Sequence, residues 1–255
     1  MQLNFQVQGE GLPLIILHGF LGSLDNWRAV SKRLSAAYKV YSVDLRNHGA
    51  SPHSQIMSYP VMAEDLREFF ASHNILEAHL LGHSMGGKVA MQFAVENPAQ
   101  VDKLIVVDIA PKTYPSSQRS LLEILRGLRL GAFKSFGDID AALAPLIRNS
   151  GLRQFLLKNL ARDSGIGFRW KIDLDALIKN YDELAKSIAV KGIFNKPTCF
   201  IRGGKSKYIQ DEDSGLIKRT FPKAEIVTIP TAGHWVHAEA TEEFLQIVDD
   251  FLVKA

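Results

Sequence analysis

The sequence contains one cysteine, Cys199, among 255 residues. A disulfide framework or a cysteine-based metal site needs several cysteines, so we expect neither. No apolar run approaches the roughly 20 residues that a membrane-spanning helix requires. The first residues, MQLNFQVQGEGLP, lack the basic segment and apolar core of a secretory signal peptide. These absences predict a soluble protein of a reducing compartment, and we expect it in the cytoplasm.

The sequence also lacks a strong excess of charge, with Lys+Arg 30 against Asp+Glu 27. A dedicated nucleic-acid binder should carry a basic stripe and a recognition motif, so we expect no nucleic-acid partner. One segment is distinctly basic, because residues 112–171 hold eleven Lys and Arg against four Asp and Glu. This composition indicates either a solvated helical face or an attraction for anionic substrates such as acyl-CoA. The oligomeric state does not follow from any of these patterns.

Short apolar runs alternate along the chain with longer segments of helical period. The runs that read as buried strands are PLIILHG, YKVYSVDL, AHLLGHS, DKLIVVDIA, PTCFIRGG and AEIVTIP. Segments such as YPVMAEDLREFFASHN and TEEFLQIVDDFLVKA carry apolar residues at the helical spacing i, i+3, i+4 and i+7. This alternation predicts an α/β fold with a mostly parallel central sheet flanked by helices. LNFQVQ near the start alternates and suits an antiparallel edge strand.

The strand–helix rhythm breaks between about residues 112 and 196. This span contains helical stretches such as SLLEILRGLRL and no convincing strand. A helical excursion between two strands would lie as a cap over one sheet edge. We therefore predict a core of residues 1–111 and 197–255, with a helical cap at 112–196 inserted after the strand that ends at Asp108.

The segment LLGHSMGG contains a G-x-S-x-G motif with Ser84 at its centre. The motif follows a predicted strand and precedes a predicted helix, which is the context of a nucleophile elbow. The flanking glycines let strand and helix close around Ser84. Its hydroxyl then projects at the helix N-terminus, where free N–H groups favour a developing negative charge. We predict that Ser84 is a nucleophile rather than part of a structural turn.

A serine hydroxyl is a weak nucleophile without a base. His234, in TAGHWVHAE, follows the last predicted strand and therefore sits at the sheet edge that carries Ser84. His237 is the closest rival, although we expect it to face the following helix. His83 neighbours the nucleophile but points elsewhere if Ser84 occupies the elbow. We therefore predict His234 as the base.

An acid is needed to orient the imidazole of the base. Asp108 interrupts the apolar run LIVVDIAPK, and a buried carboxylate there needs a partner. Many enzymes with this rhythm place the acid after the next-to-last strand, where this chain has Ser206. Residues 211–213 (Asp, Glu, Asp) follow shortly after and stay open as the alternative, although acids also cap helices. We favour Asp108, because its strand ends beside the strand of Ser84.

Acyl transfer also needs donors for an oxyanion. We predict the backbone N–H groups of Met85, directly after the nucleophile, and of Phe20, in the glycine-bearing loop HGFLGS. Leu21 and Trp235, next to the predicted oxyanion loop and base, are candidates to contact substrate. The polar loop DLRNHGAS (44–51) reads more readily as an internally hydrogen-bonded turn than as a substrate contact.

The motifs HGFLGSLDNW, DLRNHGAS, GHSMGG, VVDIAP and GHWVHAE together resemble the α/β-hydrolases, and in particular the small bacterial serine esterases of the YbfF type. The combination of RNHG, VDIAP and GGxSxY is the specific part of this resemblance. It implies a serine esterase acting on short to medium acyl esters, with acyl-CoA thioesters as a further class, and with no metal or cofactor. In that subgroup the acid lies on the VDIAP strand, which here is Asp108.

Two other functions stay open at this point. A C–C bond hydrolase or a lyase of menaquinone synthesis resembles this chain in HGFLGS and GHSMGG, but usually keeps the acid where Ser206 stands. A catalytically silent protein that uses the cap cavity as a ligand pocket is the second alternative. Dehalogenase and epoxide-hydrolase chemistry is disfavoured, because those enzymes hold an aspartate at the position of Ser84.

Overall fold

The computed structural model describes residues 1–116, 118–163, 165 and 167–254. Its strands are β1 (Phe5–Gln8), β2 (Pro13–Leu17), β3 (Lys39–Val43), β4 (Ala78–His83), β5 (Val101–Val107), β6 (Leu160–Asp163), β7 (Gly167–Trp170), β8 (Thr198–Gly203) and β9 (Ala224–Ile229). Its α-helices are α1 (Arg28–Leu34), α2 (Tyr59–Ser72), α3 (Met85–Glu96), α4 (Arg119–Arg126), α5 (Phe136–Leu143), α6 (Ser150–Leu157), α7 (Leu174–Ala185), α8 (Asp213–Thr220), α9 (Val236–Glu239) and α10 (Thr241–Val253). Short 3₁₀ helices cover Leu24–Trp27, Pro98–Gln100 and Leu130–Ala132. Across these described ranges, no helix is both long enough and apolar enough to span a bilayer.

The central sheet has the strand order β1-β3-β2-β4-β5-β8-β9. Strand β1 runs antiparallel to β3, and the other neighbouring strands pair in parallel. The prediction of a mostly parallel sheet flanked by helices, with an antiparallel first strand at one edge, is confirmed. The helices between strands are the crossovers that parallel pairing requires.

Both faces of the sheet are buried, which explains why its central strands read as continuous aliphatic runs. Successive side chains of a strand point to opposite faces. Leu80 of β4 therefore packs with the cluster that includes helices α2 and α3. The next residue, Leu81, packs with the cluster that includes α1 and α10.

Parallel pairing brings the carboxyl ends of β2, β4, β5, β8 and β9 to one edge of the sheet. The loops that follow these strands carry the HGFLGS motif, Ser84, Asp108, Ser206 and His234. Ligands of open α/β sheets bind at this edge. The topology therefore assembles the predicted site residues from five distant parts of the chain.

The segment between β5 and β8 contains helices α4–α7, as the sequence predicts. It also contains the antiparallel pair β6–β7, so the expectation of no strand in this segment is wrong. Each of these strands has four residues, LARD and GFRW, which are too few and too mixed in polarity to show an alternating pattern. The division into core and cap at residues 112 and 196 stays a prediction.

One buried ion pair fastens the loop after β3 to helix α2. The guanidinium of Arg46 makes two hydrogen bonds to Asp65, of 2.6 Å (Nε) and 2.7 Å (Nη2). The side chains of Arg46 and Asp65 are 7% and 3% exposed. A third guanidinium nitrogen donates to the carbonyl of Ile56. Because both charges are out of water, loss of either partner would leave the other as an uncompensated buried charge, which lowers the stability of the fold.

We expect Arg46→Met to lower the free energy of unfolding by about 3 kcal/mol, because it leaves the Asp65 carboxylate buried without its main partner. This value is at the lower end of the usual range, since the α-amino group of Met1 also lies 3.4 Å from Asp65. Urea unfolding followed by circular dichroism measures the change. The matched control is Arg67→Met, which breaks a pair with Glu64 whose side chains are half exposed, and should change the stability little. Equal losses in the two variants would contradict the assignment of stability to the buried pair.

Candidate active site

Ser84 occupies a strained turn between β4 and α3. Its backbone adopts φ 51° and ψ −116°, a region that residues with a side chain rarely enter. The turn closes because its neighbours have no side chain. A Cβ added to Gly82 would lie 2.3 Å from the carbonyl oxygen of Gly86, and one added to Gly86 would lie 2.5 Å from that of Leu17. The glycines of the G-x-S-x-G motif are therefore required by packing around Ser84.

The structure brings together the three residues predicted as nucleophile, base and acid. Nε2 of His234 lies 3.1 Å from Oγ of Ser84, and Nδ1 of His234 lies 2.7 Å from Oδ2 of Asp108. Asp108 is fully buried, Ser84 is 9% exposed, and the His234 side chain is 21% exposed. With Nδ1 donating to the carboxylate, Nε2 is left as an acceptor for the serine proton. This arrangement can activate a serine hydroxyl.

The carboxylate of Asp108 is stabilised by two further donors. The backbone N–H of Gly203 donates to Oδ1 at 3.0 Å, and the hydroxyl of Ser206 donates to Oδ2. Together with His234, these donors compensate the loss of hydration that makes a buried carboxylate costly. The sequence shows Ser206 at the position where many related enzymes carry the acid. It did not predict that Ser206 would donate a hydrogen bond to Asp108. The G-G-x-S-x-Y pattern was the available signal.

The alternative acids lie elsewhere. Asp211 is 90% exposed and pairs with Arg202 at 2.6 Å. Asp213 is buried and accepts two hydrogen bonds from Lys112, of 2.6 and 2.8 Å. Neither carboxylate has a contact with His234 in the part of the chain that the structure describes. The geometry therefore favours Asp108 over residues 211–213.

Three contacts that the sequence did not reveal hold the loop of His234. Glu239 accepts hydrogen bonds from the backbone N–H groups of Gly233 (2.7 Å) and Trp235 (3.1 Å), on either side of the histidine. Tyr208 stacks on the imidazole, with ring centroids 3.9 Å apart and an angle of 18°. His83 donates from Nε2 to the carbonyl of His234 at 2.8 Å. These contacts restrict both the backbone and the ring of the predicted base.

The rival histidines are unsuited to act as the base. His237 is buried against Trp27, with ring centroids 4.1 Å apart, and burial lowers its pKa to about 3. It also contacts Phe244 of α10, the helix that follows, as expected. Burial likewise lowers the pKa of His83 well below its usual value. Both rings are therefore neutral at physiological pH; His237 packs against Trp27, and His83 supports the carbonyl of His234.

The loop HGFLGS passes directly beside the nucleophile. A Cβ added to Gly19 would lie 3.4 Å from Cβ of Ser84 and 2.6 Å from Nδ1 of His83, so only glycine fits there. Leu21 adopts a left-handed backbone with φ 58°. Its N–H donates to Nε2 of His48 at 3.2 Å, and its carbonyl accepts from Asn159 at 2.7 Å. The backbone around Phe20 is therefore held in a defined position beside Ser84.

The loop DLRNHGAS is hydrogen-bonded within itself and to neighbouring segments, which agrees with the preferred interpretation as a structural turn. Arg46 pairs with Asp65, Asn47 exchanges hydrogen bonds with Ser54, and His48 bonds to the carbonyl of Arg46. These three loop residues are 5% exposed or less. Through His48 the loop supports HGFLGS from behind, so it acts on the site indirectly.

A cavity of about 740 Å³ opens above Ser84. It lies within the roughly 300–1,000 Å³ typical of small-molecule sites. Its walls include the predicted substrate contacts Leu21 and Trp235, together with Phe20 and Met85. The segment between β5 and β8 contributes the apolar side chains Leu121, Leu152, Phe155, Tyr181 and Leu184. Among the described residues, no group of three or more His, Cys, Asp and Glu side chains is arranged to hold a metal ion.

Known proteins similar to this chain include esterases and a lipase. Residues 13–153 match the family model of the alpha/beta hydrolase fold. The sn-1-specific diacylglycerol lipase ABHD11 of Mus musculus is 36% identical over 94% of this chain and 81% of its own length. Esterase YbfF of Escherichia coli is 30% identical over 99% of each chain. The solved structure of a marine microorganism esterase superposes with a TM-score of 0.96, at 42% identity, over 98% of this chain and 99% of that one.

We expect Asp108→Asn to lower kcat on the scale of about 10⁴, because an amide cannot hold the imidazole tautomer that accepts the serine proton. Steady-state hydrolysis of a p-nitrophenyl ester measures the loss. Asp211→Asn is the matched control, since Asp211 is exposed and its carboxylate contacts Arg202 instead. Near-normal turnover in Asp108→Asn, together with an inactive Asp211→Asn, would reject Asp108 as the acid.

We expect Ser206→Ala to reduce kcat about tenfold with little change in KM, because Asp108 loses one donor but keeps Gly203 and His234. The kcat and KM values for one ester measure the effect. Lys205→Ala, an exposed residue in the same loop, is the control and should keep the normal kcat. A Ser206→Ala enzyme with unchanged kcat would show that the third bond to Asp108 does not matter for turnover.

Proposed function

The chain belongs to the alpha/beta hydrolase fold family and is a carboxylic ester hydrolase, and we propose that it hydrolyses short to medium acyl esters through Ser84, His234 and Asp108. The observation that carries the proposal is the continuous series of hydrogen bonds from Oγ of Ser84 through His234 to Asp108. The series ends at the cavity, so a bound ester carbonyl would meet the serine hydroxyl.

The first half of the reaction forms an acyl-enzyme. Oγ of Ser84 attacks the ester carbonyl carbon while Nε2 of His234 takes the hydroxyl proton. The carbonyl oxygen becomes an oxyanion in the tetrahedral intermediate. Collapse of this intermediate breaks the bond to the leaving oxygen, which receives the proton from His234 and departs as the alcohol. The acyl group stays bonded to Ser84.

The second half repeats these steps with water. His234 takes a proton from a water molecule as the water oxygen attacks the acyl carbon. The intermediate then releases the acid, and Oγ of Ser84 recovers the proton from His234. Throughout, Asp108 keeps the imidazole in the tautomer with hydrogen on Nδ1 and stabilises the imidazolium that forms twice per cycle.

We assign the oxyanion contacts to the backbone N–H groups of Phe20 and Met85. Met85 is the first residue of α3, where helix N–H groups have no partner within the helix. The helix dipole adds to the stabilisation of negative charge at this position. Phe20 follows Gly19, whose close approach to Ser84 puts the loop backbone beside the reacting carbon. Each such donor contributes about 3 kcal/mol to the stability of the transition state.

The substrate class is supported by the cavity and by the relatives. Aliphatic and aromatic side chains line much of the wall, which suits an acyl chain rather than a strongly polar group. Relatives named as a diacylglycerol lipase and as esterases bring acylglycerols and simple esters into the proposed range. Many of the basic side chains between β5 and β8 pair with acids, as Arg119 does with Asp182 and Arg153 does with Asp140. This pairing favours a solvated face over a binding surface for acyl-CoA.

The position of the acid also bears on the alternatives. A C–C bond hydrolase or a lyase of this fold usually keeps its acid after the next-to-last strand, where Ser206 stands here. The hydrogen bond from His234 to Asp108 therefore supports the esterase. It also counts against a silent binding protein, which has no need of an ordered base.

The decisive measurement is hydrolysis of p-nitrophenyl esters, from acetate to palmitate, by wild type and Ser84→Ala. We expect turnover that is lost in Ser84→Ala and is fastest at a short or medium chain length, since the cavity has a finite length. Labelling of the wild type by a fluorophosphonate, absent in Ser84→Ala, confirms the nucleophile. Circular dichroism shows that both proteins are folded. A folded wild type that turns over no ester and takes no label would overturn the proposal.

A further inference from the structure

A buried lysine lines the proposed acyl cavity. Lys88 lies on α3 one turn beyond Ser84, and its backbone N–H donates to the carbonyl of Ser84 at 3.1 Å. Its side chain is among the largest fully buried ones, and the residue is 1% exposed. Lys88 nevertheless forms part of the cavity wall that also holds Ser84, Met85 and His234. Lys88 therefore borders the space that the acyl group would occupy.

Among the described residues, the ammonium of Lys88 has one hydrogen-bond acceptor, the carbonyl oxygen of Lys186. Two aromatic rings lie close to Nζ, that of Tyr114 at 4.8 Å and that of Tyr59 at 5.1 Å from the centroid. Their hydroxyls donate to other carbonyls, Tyr59 to Leu184 and Tyr114 to Tyr208. The rings therefore contribute only the weaker attraction of their faces. An ammonium carries three N–H donors, so this environment satisfies it incompletely.

No carboxylate pairs with Lys88 within residues 1–116, 118–163, 165 and 167–254. The nearby pair of Lys112 and Asp213 is complete in itself, with hydrogen bonds of 2.6 and 2.8 Å. Burial without an acidic partner lowers the pKa of Lys88 to about 7. A buried charge that lacks a partner destabilises a protein, and an anion that entered the cavity would remove this deficit.

We propose that Lys88 binds a carboxylate carried by the acyl group of the substrate, so that the preferred esters are half-esters of dicarboxylic acids. The inference rests on the proposed function, because it takes the acyl carbonyl to be held at Ser84. Lys88 is one helical turn beyond Ser84, since its backbone N–H donates to the carbonyl of Ser84. The number of methylenes that fits between ester carbonyl and carboxylate is the quantity that a series of half-esters measures. A bidentate or single charge-assisted hydrogen bond from Nζ then fixes the far end of the chain.

Two other lysines on the cavity wall differ from Lys88 in their environment. Lys158, after α6, and Lys207, after β8, are both exposed to solvent. Their charges are hydrated, so they gain little from an anion. Lys158 therefore serves as a matched control for Lys88, since it lines the same cavity and carries the same charge.

The test compares p-nitrophenyl esters whose acyl chains have equal length and different ends: methyl, carboxylate or trimethylammonium. Succinyl, glutaryl, adipoyl and suberoyl half-esters supply the carboxylate series, and rates without enzyme are subtracted. For the wild type we expect kcat/KM to be about tenfold higher for the carboxylate than for the methyl end at one chain length, the order of effect of a charge-assisted hydrogen bond. The trimethylammonium end should be the slowest, and this comparison needs no variant.

The variant Lys88→Met, which keeps the length and volume but not the charge, should bring the ratio of carboxylate to methyl rates to about one. A ratio taken within one variant does not depend on how much of the protein is active. Lys158→Met should keep the ratio of the wild type. Equal rates for the two ends in the wild type would overturn the inference, as would a preference that survives in Lys88→Met or falls equally in Lys158→Met. Absence of turnover by the folded wild type on every ester of the series, whatever its end, would instead refute the proposed function.

Discussion

The hydrogen bond between Asp108 and His234 is the interaction around which the site is arranged. It joins the end of β5 to the loop after β9, two parts of the chain that are 126 residues apart. A carboxylate with no exposure to solvent needs full compensation, and it receives three donors: from the end of β8, from the loop after β8 and from the loop after β9. Because Asp108 is held on both oxygens, its orientation is set before any substrate arrives. The hydrogen bond to Asp108 orients the imidazole of His234 and keeps its hydrogen on Nδ1. Nε2 is then free to accept a proton from Ser84.

Backbone strain at the site falls on Leu21 and on two residues that follow neighbouring strands. Ser84 and Asp108 both have a left-handed backbone, with φ of 51° and 50°. Such conformations persist only where the surroundings determine them. The close glycine packing of β4 against α3 fixes the backbone at Ser84. Hydrogen bonds to the carboxylate fix the backbone at Asp108. The stiffness of the parallel sheet below supports both turns, so the nucleophile and the acid keep their spacing.

The cavity wall also contains a buried polar group, the ammonium of Lys88, whose hydrogen-bonding capacity is not fully used. Most of its wall is apolar, as the proposed acyl pocket requires. Lys88 contacts a carbonyl and two ring faces, but no counter-ion among the residues that the structure describes. The contrast with Asp108 is informative, because the same kind of burial is fully compensated in one case and incompletely in the other. The protein itself supplies all the hydrogen bonds of Asp108, the carboxylate that orients His234. Lys88, which we propose binds a substrate carboxylate, keeps hydrogen-bonding capacity for that ligand.

The sequence by itself determined the layered α/β fold, and it predicted Ser84, His234 and Asp108 as the catalytic series, with residues 211–213 open as the alternative acid. Period-2 and period-3.6 patterns record burial directly, and the rule that parallel strands end at one edge then places the strand-end residues together. Four features were decided by tertiary structure alone: the Ser206 bond to Asp108, the Tyr208 stack on His234, the β6–β7 pair and the isolation of Lys88. Each depends on contacts between residues far apart in the chain, or on strands too short to show a period. Local patterns determine which face of an element is buried, but only the packed chain determines what a buried polar group meets there.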